Sequence, residues 1–553
     1  MTASKLGRID LQIMWNRLVA VVEEQAQVLI RTAFSPIVRE CGDLSAGVFD
    51  TKGRMLAQAV TGTPGHVNSM AESVRHFLAH FPAETMKPGD VYITNDPWRG
   101  TGHLNDFVVT TPAFHKGRFV GLFACTSHVT DIGGIGFGPD ANDVFAEGLS
   151  IPFLKLADQG RMNETLLALV RANSRLSVEA EGDVYSLAAC NDIGCKRLSE
   201  MMGEYGLDSL DELGAYILER SRAGVLAALA ELPKGSWSYR MRVDGYDFPV
   251  ELVARTTVSD DGIHVDYEGT SGQSRFGINV PLAYTTAYTV FGLGCVAAPD
   301  VPNNAGSLSL FTVSAPEGTI LNALPPAPVS SRHLIGQMLP DVVFGCLRQA
   351  VPERVPAEGT SCLWNITLRG EARTHGSNRA AYGFAVTVTS NGGTGARPGL
   401  DGLSATAFPS GVKGTPVEVT EAIAPLVFWR KEYRPDSGGA GEHQGGHGQV
   451  IEISTANGEP MTLLAAFDRI ENPARGADGG QDGAAGELTL GSGEKLRGKG
   501  FQTVPAGERL VVRTPGGAGL GDPARRAPDD VARDVRDGLV TAEAARSRYG
   551  WTG

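Results

Sequence analysis

Basic residues are in deficit: 49 Lys and Arg stand against 62 Asp and Glu, a formal net charge of −13. A chain of that sign carries no electropositive footprint, which excludes nucleic acid and anionic membrane surfaces as expected partners. Long apolar runs are missing too. Nothing reaches the roughly eighteen uninterrupted apolar residues of a membrane span, and the opening MTASKLGRIDLQIMWNRLVAVVEEQ threads charges through its apolar positions, unlike a signal peptide. The expected location is the cytoplasm. Cysteine is sparse: the seven are scattered and odd in number, as reduced buried thiols are. Cys190 and Cys195 lie close together, but no second pair completes a zinc site. The chain has no GxxxxGK[ST], no GxSxG and no CxxC, so it lacks a phosphate-binding loop and a nucleophile in a recognised setting. GLGC within YTVFGLGC has no βαβ context for a dinucleotide fingerprint, and no internal repeat marks a solenoid or propeller.

What is present begins with length. At 553 residues the chain exceeds one ordinary core. Its 70 glycines and 31 prolines favour turns and strands over long helices. Asp10 is placed to cap a helix whose apolar stripe Leu11, Met14, Trp15, Leu18 and Val22 runs to about Arg31. Short β-branched runs follow, separated by Gly, Pro and Asn, with functional loops at their ends. ETLLALVRANSRL, DVYSLAACNDIGCKRLSEMMGEYG and SLDELGAYILERSRAGVLAALAEL carry helical spacing. Beyond Lys234 the pattern turns strand-like. The fold expected is α+β, divided as 1–158 (mixed region with the candidate site), 159–233 (helical), 234–390 (β-rich), 391–525 (glycine-rich β) and 526–553 (C-terminal helix). The glycine-dense GGTGARPGLDG and RPDSGGAGEHQGGHG read as tight turns between strands, with anion wrapping by backbone amides as the alternative.

Chemistry concentrates near the N-terminus. Asn95-Asp96-Pro97-Trp98-Arg99-Gly100-Thr101-Gly102-His103-Leu104-Asn105-Asp106 follows the strand DVYIT, and a loop there can turn His103 and Asp106 the same way. An imidazole nitrogen and a carboxylate oxygen suit zinc, manganese or iron. RFVGLFACTS ends in His128-Val129-Thr130-Asp131, the same histidine-to-aspartate spacing. Two adjacent strands could thus supply His103, Asp106 and His128 to one ion, with Asp131 as a further ligand or as a carboxylate orienting an imidazole. Glu40 and Asp43 precede another strand, and either completes the set. His66, in a turn before a helix, is an acid, base or ligand near neutral pH. A lone loop histidine is ordinarily structural and a lone turn aspartate ordinarily a cap. Six of the eleven histidines fall in the first 128 residues, however, and two head the same spacing. His76, His80 and His115 read as surface residues, and Ser127 as a turn residue.

Several longer stretches carry a resemblance: RTAFSPIVRECGDLSAGVFD, PGHVNSM, PGDVYITNDPWRGTGHLNDFVVTTPAF, NSRLSVEAEGDVYSLAACNDIGCKRL, VPNNAGSLSLFTVSAPEGTILNALPPAPVSSRH, YRPDSGGAGEHQGGHGQV and TPGGAGLGDPARRAPDDVARDVRDGLVTAEAARSRYG. In this order they resemble the hydantoinase B/oxoprolinase family, which includes N-methylhydantoinase, 5-oxoprolinase, caprolactamase and subunits of acetone and acetophenone carboxylase. The resemblance implies an α+β protein binding one divalent metal (Zn, Mn or Fe) through Asp43, His103, Asp106 and His128, with Glu40 able to replace Asp43. It implies an actin-like hydantoinase A-type ATPase partner holding ATP-Mg in a hetero-oligomer, and a cyclic amide activated by phosphorylation and opened at the metal. His66, Asp131 or Glu40 would move the proton. A ketone carboxylase using the same metal, and a non-catalytic scaffold for the ATPase, are the competing expectations.

Overall fold

The computed structural model describes residues 7–60, 62–372 and 382–553; the first six residues of the N-terminal stretch considered above lie outside them. The first helix, α1 (Arg8–Thr32), buries Leu11, Met14, Trp15, Leu18, Val22 and Leu29 along the expected stripe. Asp10 lies one turn inside the helix and not at the cap: Gly7 is the cap residue, and the Asp10 carboxylate accepts from the Gly7 N–H at 3.0 Å. After the turn α2 (Pro36–Arg39) and before helix α3 (Pro64–His80), the first of seven strands begins. These are β1 (Leu44–Phe49), β2 (Met55–Gln58), β3 (Val91–Thr94), β4 (Asp106–His115), β5 (Arg118–His128), β6 (Leu154–Asp158) and β7 (Arg161–Met162). They form one sheet in the order β2-β1-β5-β4-β3-β6-β7.

β1 reads as a continuous buried run because both of its faces are covered. Val48 and Phe123 pack with α1 and the helical segment, whereas Phe49 and Leu122 pack with α3. Alternate residues of a strand point to opposite faces, so each set finds its own helix layer. The helical segment contains α4 (Glu164–Asn173), α5 (Ser177–Glu204) and α6 (Asp211–Ala230). Buried amides stitch the layers together: Gln25 donates to the Ala124 carbonyl and to Asn191, and Asn191 donates to the Val109 carbonyl.

The next sheet holds β8 (Gly235–Val243), β9 (Val250–Val258), β10 (Ile263–Asp266) and β11 (Phe311–Ser314), and here burial alternates as the sequence suggests. This region also contains helix α7 (Leu282–Ala297), which the strand-like reading missed. α7 has no charged residue and packs between α3 and the helix Leu339–Leu347, so no polar face was there to reveal its period. The remaining strands are β12 (Leu363–Ala372), β13 (Tyr382–Asn391), β14 (Leu426–Tyr433), β15 (Gln449–Thr455), β16 (Met461–Ala466), β17 (Glu487–Leu490), β18 (Lys499–Val504) and β19 (Leu510–Arg513). They form two sheets, β13-β12-β16-β18 and β14-β15-β19-β17, packed face to face around Trp364, Phe467 and Ile453. The first of these draws strands from both sides of residue 391. Beyond it the C-terminus is two short helices and not one, Pro528–Arg536 and Ala542–Tyr549, broken at Gly538 with φ 74°.

The glycine-dense stretches contain turns, such as the one closed by Arg397 and Leu400, but most of their length serves close backbone packing. Segments 393–396, 438–448, 474–483 and 515–521 lie against one another, joined by backbone bonds such as Gly439 N–H to Gly517 O, Gly517 N–H to Gly446 O and Gly446 N–H to Thr394 O, each 2.9 Å. Side chains would hold such backbones apart. A Cβ on Gly517 would stand 1.9 Å from the Thr394 carbonyl oxygen, and one on Gly445 equally close to the oxygen of Gly517. Gly517→Ala is therefore expected to destabilise the protein by about 1–3 kcal/mol through overpacking against rigid backbone. A fall in the urea midpoint at unchanged slope is the measurement; an unaltered midpoint would mean that these segments are not tightly apposed.

Candidate metal centre

Strand pairing alone assembles most of the site. In the β4–β5 ladder Asp106 is the direct partner of His128, and in the β1–β5 ladder Leu44, next to Asp43, faces Ser127. Three strands thus begin or end at one place. The His128 N–H donates to the Asp43 carbonyl at 3.3 Å, fixing that corner. His103 reaches back from the preceding loop, and its Nε2 lies 2.8 Å from Asp106 Oδ1. His128 Nδ1 is 3.5 Å from the same oxygen, and the two imidazole centres are 5.2 Å apart. One ligand atom from each of His103, Asp106 and His128 falls within 4.8 Å of the others, all three residues being buried.

The protonation pattern decides what this arrangement can hold. His103 Nδ1 is 2.8 Å from the Ser330 carbonyl, which can only accept, so Nδ1 carries the proton and Nε2 a lone pair. Burial, reinforced by the charge of Arg332, pushes the His103 imidazole down to about 3, so the ring is neutral. Its lone pair faces an oxygen of Asp106, and among the described residues neither atom has a hydrogen-bond partner. Two buried lone pairs this close repel unless a cation joins them. The donor set, two imidazoles and a carboxylate, fits a first-row divalent ion such as zinc.

Asp106 is the most heavily served group. Burial favours its neutral form, yet the charges of His66 and Arg332 beside it hold it well below the usual carboxylate range. Arg332 donates to Asp106 Oδ2 at 2.5 Å and to the Thr101 carbonyl at 2.8 Å, while its guanidinium lies 4.1 Å over the Tyr284 ring. Gly102, at φ 93°, makes room for it: a Cβ there would stand 2.8 Å from Arg332 Cδ. His66, in the first turn of α3, sits between two carboxylates, with Nε2 2.9 Å from Asp106 and Nδ1 3.5 Å from Asp43. Burial works against its charged form, but those carboxylates outweigh burial and raise it.

Of the residues singled out from sequence, His66, His103, His128 and Asp43 line one cavity, and Asp106 lies behind them against His66, His103 and His128. Asp131 and Glu40 do not line it. Both Asp131 oxygens are taken by Arg175, one by its backbone N–H and one by its guanidinium, and Glu40 pairs with Arg39 at 2.8 Å. Both carboxylates are thus engaged with arginines and are not among the residues lining the cavity, where the sequence reading set them. His115, read as a surface residue, is buried with Nδ1 2.8 Å from Ser199 Oγ. Arg332, His333, Gln337, Asn365, Phe137 and Tyr284 complete the lining and were not anticipated. The sole trace of them in the sequence is the adjacent Arg-His pair closing PAPVSSRH. The cavity is small, about 20 Å³, with Phe137 edge-on to His128 at 4.8 Å.

With the site described, the family is clear. The hydantoinase B/oxoprolinase family model matches residues 7–523, and the chain belongs to that family. It is similar to the caprolactamase subunit beta of Pseudomonas jessenii, 30% identical over 98% of this chain and 95% of that one. It is also similar to the 5-oxoprolinase of Dictyostelium discoideum, 27% identical over 94% of this chain but only 40% of that longer protein. Among solved structures, the ATP-dependent caprolactamase of Pseudomonas jessenii superposes with a TM-score of 0.89 at 28% identity, covering 99% of this chain and 96% of that one. A nucleotide-free acetone carboxylase shares the fold, with a TM-score of 0.85 at 21% identity over 98% of this chain and 79% of that one. No helix among the described residues is long and apolar enough to cross a membrane.

The loop that fixes His103 is itself held by a buried acid. Glu147 Oε1 accepts from the Val329 and Ser330 N–H groups at 2.5 and 2.8 Å, and burial pushes its carboxyl up to about 8 despite those bonds. A carboxyl raised from 4.5 to about 8 favours folding below the lower value and loses that contribution as pH climbs to the higher. Glu147→Gln, uncharged throughout, is expected to gain stability relative to the parent between about pH 5 and about pH 8. Denaturation midpoints of both proteins across that range test this; parallel pH profiles would disprove it.

Proposed function

We propose that this chain is the metal-binding subunit of an ATP-dependent hydrolase of cyclic amides, working with a hydantoinase A-type ATPase subunit. The observation that carries the reading is the pair of facing lone pairs on His103 Nε2 and Asp106 Oδ1, with His128 beside them. Similarity to caprolactamase along nearly the whole of both chains favours hydrolysis.

His103, Asp106 and His128 would hold the ion, with Asp43 as the fourth protein ligand. When bound, a zinc, manganese or iron ion supplies a Lewis acid and a water of lowered pKa. The chain's own residues do the rest. Arg332 keeps Asp106 ionised and oriented, and Ser330 fixes the His103 tautomer. His66, held between Asp43 and Asp106, is the group placed to carry a proton between the attacking water and the leaving nitrogen. The chain has no phosphate loop, so ATP-Mg is assigned to the partner, which would phosphorylate the amide oxygen and make the ring carbon electrophilic.

The fold shared with acetone carboxylase supports a second reading, carboxylation of a ketone. Phosphate release that requires bicarbonate together with acetone would select it, and ring opening without bicarbonate selects the hydrolase. Metal analysis tests both against a scaffold role. The purified chain is expected to carry about one divalent ion, and His103→Ala and His128→Ala to lose nearly all of it while remaining folded. Wild-type protein purified without chelator and devoid of metal would refute a catalytic metal centre.

A further inference from the structure

Beside the metal ligands, the cavity is lined by two primary amides that no part of the proposed chemistry uses. Asn365 lies on β12, two residues from Leu363, so both side chains leave the same face of the strand and line the cavity. Gln337 follows the turn His333–Gly336 and stands one helical turn beyond His333. Both are buried, at 4% and 2% exposure. Asn365 donates its Nδ2 to His333 Nε2 at 3.3 Å, and burial together with Arg332 holds that imidazole neutral. This bond orients the amide and leaves Asn365 Oδ1 with no donor; Gln337 Oε1 has none either among the described residues.

Buried acceptors without donors are costly, and a native structure retains them where something else supplies the donor. We infer that Asn365 and Gln337 form a specificity wall that receives the N–H of the substrate ring, so the substrates are cyclic amides with an unsubstituted nitrogen. The inference rests on the hydrolase reading and narrows it. A ring amide must place N–H and C=O on the same side, so its oxygen can approach the metal ligands while its nitrogen meets an amide oxygen of the wall. The present cavity of about 20 Å³ does not admit a ring, so binding requires the lining to open.

The test uses the chain co-purified with its ATPase partner and loaded with metal. ATP-dependent opening of hydantoin, 2-pyrrolidinone and ε-caprolactam is measured beside that of their N-methyl derivatives, for the parent and for Asn365→Leu and Gln337→Met. Metal content and circular dichroism confirm that the variants are folded. N-methylation is expected to raise KM about ten-fold or more in the parent, as loss of a hydrogen bond to a built acceptor does. In the variants the N–H rings should lose about as much, and the gap between N–H and N-methyl rings should shrink. Rings opened by the parent without regard to N-methylation, or an undiminished gap in both variants, would overturn the specificity wall and leave the hydrolase reading intact. Failure to open any N–H ring, with phosphate released from acetone and bicarbonate or from neither substrate, would overturn the hydrolase reading itself and this inference with it.

Discussion

Everything at the centre of this protein depends on one ionised carboxylate kept in a place where water does not reach it. Asp106 is fully buried. A buried charge persists only where it is paired, and here Arg332 and His66 serve one oxygen while His103 and His128 approach the other. The first oxygen is satisfied by protein. The second meets a neutral imidazole that has already spent its proton on Ser330. That division fits the proposed metal centre better than a structural ion-pair cluster: one side is closed by cations of the chain, and the other offers lone pairs to a cation from outside.

The rest of the fold serves that division. The β4–β5 and β1–β5 ladders set Asp43, Asp106 and His128 at one corner, with no freedom beyond register. The layer of apposed glycine segments has a quieter part in it. Its backbone bonds run to the stretch immediately before β12, Ala518 N–H to Glu358 O and Thr360 N–H to Gly393 O, each 3.0 Å. The strand bearing Asn365 is thereby anchored to a part of the molecule with little room to deform. Chains that pack backbone against backbone have no side chains to repack, so they transmit position well and tolerate substitution poorly.

Much of this was legible in the residues and some was not, for reasons that differ. The histidine-to-aspartate spacing at two strand ends marked His103, Asp106 and His128, because a ligand pair three residues apart is a local property. Asp131 has the same spacing from His128 yet faces Arg175, since spacing carries no information about which way a loop turns after its strand ends. The helix α7 escaped notice because a helix buried on all sides loses the amphipathic period that reveals the others. The glycine-rich stretches were conspicuous, but glycine density marks close approach and open turns alike, and only the partner segment distinguishes them.

The sequence by itself determined the family, the α+β character and three of the groups that converge at the candidate metal site. These follow from short-range pattern, in which residue type and spacing suffice. The tertiary structure alone decided which nitrogen of His103 is free, which oxygen of Asp106 is unserved, and that Arg332, Gln337 and Asn365, more than two hundred residues downstream, close the same cavity. Hydrogen-bond direction and the desolvation of a charge are properties of an enclosed space, and that space exists only once remote parts of the chain have met.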